Sequence, residues 1–539
     1  TITALTSCTY HATSCKHWRR ILRGLRLRNI RSLADTGMIE LKPITLLLGQ
    51  NSSGKSTVLR SLPLISQSVR TRSNAPVLWF GEYVDFGSVH EVRSNFARDE
   101  SVTMELDFGQ VGIVSRYAYD PRDRVRPIRF TLAIELIEVD DRTRLKSFSL
   151  SSASDILKVS FDTRNNLQSV YVNESEYTKL FPVERFRFIT SELVPQMTVR
   201  PLADSNEQGF FAPSRRVDTA DREIRRVLST QLHGRISEGT ITSLARRVRY
   251  NTKSLFATML TNMPTPLKSW KAFANDLTND LESGVLDRLR ELAFLSSLPD
   301  FLFSLERKLS TVANNMAYIG PSRATGERYY RIQELAVDQI DPQGKNLAMF
   351  LHSLSITQLR NFSDWLIDSV GYAIKVERSS GHVQIQLKSA LSDKFYNLAD
   401  MGYGFSQVLP IMAQIWSRLA KRGRVSHGNT IVAMEQPELH LHPAYQGRLA
   451  DILAKSVRPS NDISLNKSDL TFIVETHSEA LINRMGDLIS QGAIDHNDVA
   501  LYVFEKGIDD DVTKITPAAY DADGILKNWP IGFFAAQPL

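Results

Sequence analysis

At 539 residues the chain is too long for one ordinary hydrophobic core, so two or more structural units are expected. Hydrophobic residues make up 42% and charged residues 23%, no apolar run approaches the ~20 residues that span a bilayer, and two cysteines exclude a disulfide framework; the expectation is a soluble, cytoplasmic protein with no membrane partner. The net charge of +6 is concentrated in two stretches, seven basic and no acidic residues over 16–31 and ten basic against four acidic over 213–253, so DNA or RNA stands as a candidate partner beside the plainer reading of solvated faces.

Residues 1–21 read as an N-terminal extension with no apolar core of the kind a secretory signal carries. Cys8, His11, Cys15 and His17 are soft ligands, but they lack a tight Cys-x-x-Cys knuckle, so a docking or disordered extension is expected over a zinc site. Residues 22–212 form a first lobe. Leu22–Ser32 alternates and predicts a strand with one buried face. Ile44–Leu48 is apolar enough for a buried central strand, a glycine-rich turn follows, and Ser56–Val69 predicts a helix. Alternating runs from Val102 to Val172, broken by Asp140-Asp141 and Asn165-Asn166, predict antiparallel strands. Residues 213–315 turn mainly helical, as at Leu286–Phe294 and Phe301–Val312. The second lobe, 316–539, has strands at Ala373–Glu377 and Val383–Leu387, a helix after Gly402, and very apolar strands at Thr430–Met434 and Leu470–Glu475. The fold class expected is α/β, a mixed central sheet with an antiparallel β subdomain, split by a long, mainly helical insertion.

Gly49-Gln50-Asn51-Ser52-Ser53-Gly54-Lys55-Ser56, with Thr57 following, matches the phosphate-loop pattern at every fixed position, between a buried strand and a helix. The glycines let backbone N–H groups turn inward onto phosphates, Lys55 brings a point charge, and the Ser56 hydroxyl takes a place on magnesium. ATP and Mg2+ are therefore the expected cofactors, and Gly49, Asn51, Ser52, Gly54, Lys55, Ser56 and Thr57 the binding residues. Ile431–Glu435 is an apolar strand ending in an acid placed on the magnesium side. In Gln436-Pro437-Glu438-Leu439-His440-Leu441-His442, the two histidines lack the i, i+4 spacing of a zinc protease. Phe472–Ser478 ends a second buried strand in a polar cluster with His477. Gly402–Pro410 is a glycine turn entering a helix that is expected to begin at Ser406, a second anion-binding terminus with Gly404, Ser406 and Gln407. One ATP needs one phosphate loop, so the second element is expected to serve another subunit's nucleotide.

In this order the motifs resemble the ABC-ATPase superfamily, in its soluble branch of OLD-family and SMC-like ATPases. With Gly81–Ser88, Tyr318–Arg323 and the tail Trp529–Phe534, the chain is similar to the PtuA-type ATPases of Septu anti-phage systems, including those attached to retrons. The resemblance implies an ABC-ATPase head, with Gly404–Gln407 as signature motif, Glu435 as magnesium-side acid and His477 as switch histidine. It implies a head-to-tail homodimer or higher even-numbered oligomer, a partner nuclease of the HNH type, and a reverse transcriptase with retron nucleic acid. Many relatives end the acid strand in two acids, the second being the base that activates water. Here Gln436 stands in that place, and an amide cannot accept the proton. Glu438 or His477 substitutes, or hydrolysis is slow, and slow hydrolysis suits a sensor waiting in a closed clamp. The stretch after Leu501 is too short for a TOPRIM nuclease domain, so cleavage is expected from another chain. The alternative is an SMC-like repair or chromosome-maintenance clamp that binds DNA directly, but the insertion has no sustained heptads for long arms. A transporter subunit is disfavoured by the long gap between its ATP motifs.

Overall fold

The computed structural model describes residues 20–96, 99–112, 127–200, 212–213, 216–232, 236–333, 337, 339–420, 430–457, 470–506 and 512–530. The Cys8, His11, Cys15 and His17 cluster and the end of the tail from Ile531 lie outside these residues.

A seven-stranded sheet organises the molecule. Its order is Ala317–Ile319, Thr430–Glu435, Leu470–Glu475, Ile44–Gly49, Val499–Lys506, Thr513–Tyr520 and Leu526–Lys527. The first five run parallel and the last two antiparallel. Every residue of Ile44–Gly49 and Leu470–Glu475 is buried, the condition under which a strand reads as a continuous apolar run. Successive side chains leave such a strand on opposite faces, and here the faces feed different cores. Leu47, Ile431, Ala433 and Ile473 join one cluster; Ile44, Leu46, Leu48, Val432, Met434, Phe472 and Val474 join the other.

The first core lies under a nine-stranded antiparallel sheet built from Leu22–Ile30, Leu33–Asp35, Ile39–Glu40 and the strands between Val102 and Glu176. Among the described residues six helices, from Asp218–Gln231 to Leu298–Asn315, occupy the stretch expected to be a helical insertion. They do not stand off as an arm. Tyr250 stacks on Phe294 at 4.2 Å, and Phe301 packs on Phe130 of the sheet at 4.8 Å. Asp155, in the hairpin region of the sheet, accepts from Tyr250 at 2.6 Å and Asn173 at 3.1 Å, and pairs with Arg290 at 2.9 Å. Ser66, on the helix Lys55–Arg70, donates to the Ala313 carbonyl at 2.9 Å, tying the last of these helices to the glycine-rich turn's own helix.

The second core is covered by the helices Tyr403–Ala420, Pro443–Val457 and Glu479–Ser490, with a small sheet centred on Tyr372–Ser379 and His382–Ser389. Mixed α/β architecture, with a separate antiparallel sheet, is thus the observed class. Several sheet components went unread in the sequence, among them the three short strands Phe186–Ile189, Gln196–Val199 and Ala212–Pro213, and, in the central sheet, Ala317–Ile319, Val499–Lys506, Thr513–Tyr520 and Leu526–Lys527. No helix among the described residues is long and apolar enough to cross a membrane.

Candidate functional site

Three adjacent parallel strands deliver the candidate residues to one edge. Register aligns Glu435 with Glu475 and Glu475 with Leu47, two residues before Gly49. The carboxyl ends of Thr430–Glu435, Leu470–Glu475 and Ile44–Gly49 therefore open onto the same place, where ligands gather in parallel sheets.

The loop from Gly49 to Gly54 is sterically committed to glycine at both ends. Gly49 pairs with Phe504, and a Cβ there would stand 2.2 Å from the Phe504 carbonyl oxygen. Gly54 has φ of 88°, and a Cβ would meet Leu33 at 2.8 Å. Asn51 and Ser52 are exposed, Ser52 with φ of 61°, while Thr57 is buried in the helix behind them. Lys55 opens that helix and is only 2% exposed. Its ammonium folds into the loop, donating to the carbonyls of Gly49 at 3.0 Å and Gln50 at 2.6 Å. Burial holds its pKa below the ordinary lysine value, with the Glu475 charge opposing.

The two strand-end acids are in different states. Glu435 accepts from Arg60 Nε and Nη2, both at 2.7 Å, and from the Tyr318 hydroxyl at 2.7 Å. Its charge is matched and both oxygens are engaged by Arg60 and Tyr318; the expectation from sequence put it on the magnesium side with Ser56. The carboxylate that meets Ser56 is Glu475: the Ser56 hydroxyl donates to Glu475 Oε1 at 2.9 Å. Glu475 Oε2 is buried and has no hydrogen-bond partner. Burial raises the Glu475 pKa, and the nearby Glu435 charge adds to it against the Ser56 bond. Arg60 was not singled out from the sequence, and Tyr318 stood there only within the stretch Tyr318–Arg323, with no role given to it. Arg60 lies one helical turn past Ser56 on the same face, a spacing that could have found it.

Gln436 sits in the left-handed region, φ 42°, with its N–H on the Glu475 carbonyl at 2.8 Å. Arg323, 4% exposed, reaches the carbonyls of Gly320 at 3.1 Å and Gln436 at 3.2 Å. Burial lowers its pKa to about 10. The Arg323 carbonyl in turn accepts from Gln407 at 3.1 Å, so one arginine joins the turn after the acid strand to the helix Tyr403–Ala420. Glu438 is 7% exposed; its Oε1 accepts from the His477 backbone at 2.7 Å, its Oε2 is unpartnered, and burial raises its pKa. The His477 side chain is exposed on its outer side. The protein beneath it, then the Lys55 charge, lowers its pKa and so favours the neutral imidazole.

The second anion-binding terminus differs from expectation. The helix begins at Tyr403, after Gly402 at φ 82°, and not at Ser406. Ser406 lies within the first turn, is 6% exposed, and faces a cavity of about 80 Å³ shared with Gly326 and Leu398. The exposed tip is Gly402 and Tyr403, the latter 48% exposed and edge-on to His440 at 4.8 Å; Gly404 rests beside the His440 carbonyl.

Of the basic stretches, Arg26 pairs with Asp35 at 2.6 Å and Arg28 with Glu105, while Arg216 pairs with Asp221 at 2.7 Å. These three charges are matched within the fold. No group of three or more His, Cys, Asp or Glu side chains able to hold a metal occurs among the described residues. A hydroxyl beside a carboxylate with a free oxygen nevertheless fits a hard cation that takes its other ligands from phosphates and water.

Residues 262–483 match the family described as AAA domain, putative AbiEii toxin, Type IV TA system. That span holds the helix Tyr403–Ala420, the strand Thr430–Glu435 and His477, but not the glycine-rich loop. Residues 494–535 match a protein of unknown function, DUF3696. Among curated proteins none matches the chain. Similar solved structures include an Smc head bound to the C-winged helix domain of ScpA, at 12% identity over 93% of this chain and 98% of that one, TM-score 0.33. Others are a Pyrococcus furiosus Smc head with an extended coiled coil bound to the C-terminal domain of ScpA (12%, 93% and 96%, 0.30) and the Thermotoga maritima SMC head (11%, 92% and 98%, 0.32). At such scores the structural similarity carries no argument. The AAA-domain match and the phosphate loop on the central strand agree on a nucleotide-dependent ATPase domain.

Proposed function

We propose that the chain is an ABC-type ATPase head that binds ATP with magnesium in the loop Gly49–Thr57 and closes it against the helix tip of a second copy. The observation that carries this reading is the meeting of loop, acid pair and His477 at the ends of three adjacent parallel strands. Lys55 would leave the Gly49 and Gln50 carbonyls for the phosphates, and the helix N-terminus behind it adds its dipole. Magnesium, when bound, supplies charge neutralisation across the phosphate oxygens. The Ser56 side would hold it, and His477, within the electrostatic reach of Lys55, would sense the bound phosphates.

Hydrolysis is slow in this reading, because Gln436 cannot take a proton from water. Glu438 and His477 are the candidate substitutes, but burial and the His477 N–H hold Glu438 in place. A long-lived closed pair suits a regulator better than a motor. The role follows: an anti-phage sensor that holds a separate HNH-type nuclease, alone or beside a reverse transcriptase and retron nucleic acid, and releases it on a trigger. The matched family's description as a putative toxin supports a regulated effector. The sequence resemblance supports the nuclease.

Isothermal titration with ATP and magnesium tests the nucleotide step. The wild type is expected to bind in the micromolar range or tighter, and Lys55→Ala to weaken binding by about 100-fold or more, the loss of a charge-assisted contact to phosphate. Equal affinity in both proteins would remove the loop from the site. Co-purification with the products of neighbouring genes tests the effector step, and a preparation that holds no nuclease would count against it.

A further inference from the structure

The acid that ends the expected magnesium strand and the acid that touches the loop serine are different residues. Glu435 has its full complement: two bonds from one guanidinium and one from a phenol. A carboxylate neutralised in this bidentate way has little field left for a cation, and drawing it to one would strand Arg60. Glu475 is the reverse case. It is 3% exposed, its Oε1 is held by the Ser56 hydroxyl, and its Oε2 is buried without a donor. A buried oxygen left in that state costs free energy unless something fills the place. Lys55 is near enough to feel its charge but spends its own donors on the Gly49 and Gln50 carbonyls.

We infer that Glu475, and not Glu435, is the carboxylate that meets the divalent cation of the bound nucleotide beside Ser56, while Glu435 clamps Arg60 and Tyr318 at the strand end. The assignment rests on the nucleotide reading above. It changes the division of labour: the cation is carried by the strand that also bears His477, two residues on. The Glu435, Arg60 and Tyr318 cluster instead fixes the helix behind the loop against the sheet. Loading of the cation and the position of His477 are then set by one short segment, Glu475-Thr476-His477, which is anchored to the loop strand by the Thr476 N–H on the Leu47 carbonyl at 3.1 Å.

The test compares ATP affinity with magnesium and with EDTA in the full chain, and Mn2+ affinity of the ADP complex by electron paramagnetic resonance. Glu475→Gln keeps the shape and a possible bond from Ser56. It is expected to bind ATP in EDTA as the wild type does, to lose the gain from magnesium, and to hold Mn2+ about 10-fold or more weakly. Glu435→Gln is expected to keep the magnesium gain and to melt at a lower temperature, because Arg60 is left without its charge partner. A full magnesium gain in Glu475→Gln overturns the assignment. So does loss of that gain in folded Glu435→Gln, which decides the matter if Glu475→Gln does not fold. Failure of the wild type to bind ATP under either condition overturns the nucleotide reading, and the assignment falls with it.

Discussion

At the scale of single residues, the site turns on which polar atoms are already satisfied. Ser56, Lys55 and Gln436 could be nominated from spacing because each has a fixed offset from a glycine turn or a strand end. The partner of each could not. Whether Ser56 meets Glu435 or Glu475 depends on the register of two strands whose residues lie forty apart in sequence, and no local pattern encodes that. The contacts of Arg60, Tyr318 and Arg323 escaped for the same reason: each reaches a residue more than one hundred positions away. The Gln436 position yields a sharp expectation. If turnover is limited by the missing base, Gln436→Glu should raise kcat by about 100-fold or more, within the range of general base catalysis, and leave ATP affinity nearly unchanged. A steady-state assay decides it; an unchanged or lower kcat would mean that Glu438 or His477 already does this work.

At the scale of elements, the apolar strands were legible because burial on both faces forces continuous hydrophobic runs, as at Ile44–Gly49 and Leu470–Glu475. Helices over 213–315 were legible from their period, but their packing was not. What joins them to the antiparallel sheet is a buried polar knot of Asp155, Arg290 and Tyr250 inside an aromatic cluster. The helix after Gly402 was foreseen with the wrong start. A serine is a good cap, yet the left-handed Gly402 turns the chain into the helix three residues sooner, and Ser406 is carried inward. The knot gives a stability prediction. Asp155→Ala removes the fully buried partner of Arg290, leaving it only Asp287 at 3.2 Å, takes an acceptor from Tyr250, and should cost about 3 kcal/mol in chemical denaturation. A loss below about 1 kcal/mol would show that the helices are held by their apolar contacts alone.

At the scale of the whole molecule, the central sheet parts two cores and presents one edge, with the loop, the acids and His477 on it and the exposed Tyr403 tip beside the turn that follows Glu435. A single copy offers the nucleotide one phosphate loop and leaves its own helix tip free. The account therefore requires a second copy, with Tyr403 and its glycines facing the partner's nucleotide. Tyr403→Asp tests that face gently, since an acid at a helix start is tolerated by the fold but repels phosphate. The most direct measurement is the solution molar mass by light scattering, with and without ATP and magnesium, for the wild type, Lys55→Ala and Tyr403→Asp. The account predicts that ATP with magnesium doubles the mass of the wild type, or raises it to a higher even multiple, and leaves both variants as they were. A wild-type mass that stays unchanged at saturating ATP, or a Tyr403→Asp protein that assembles as the wild type does, would contradict it.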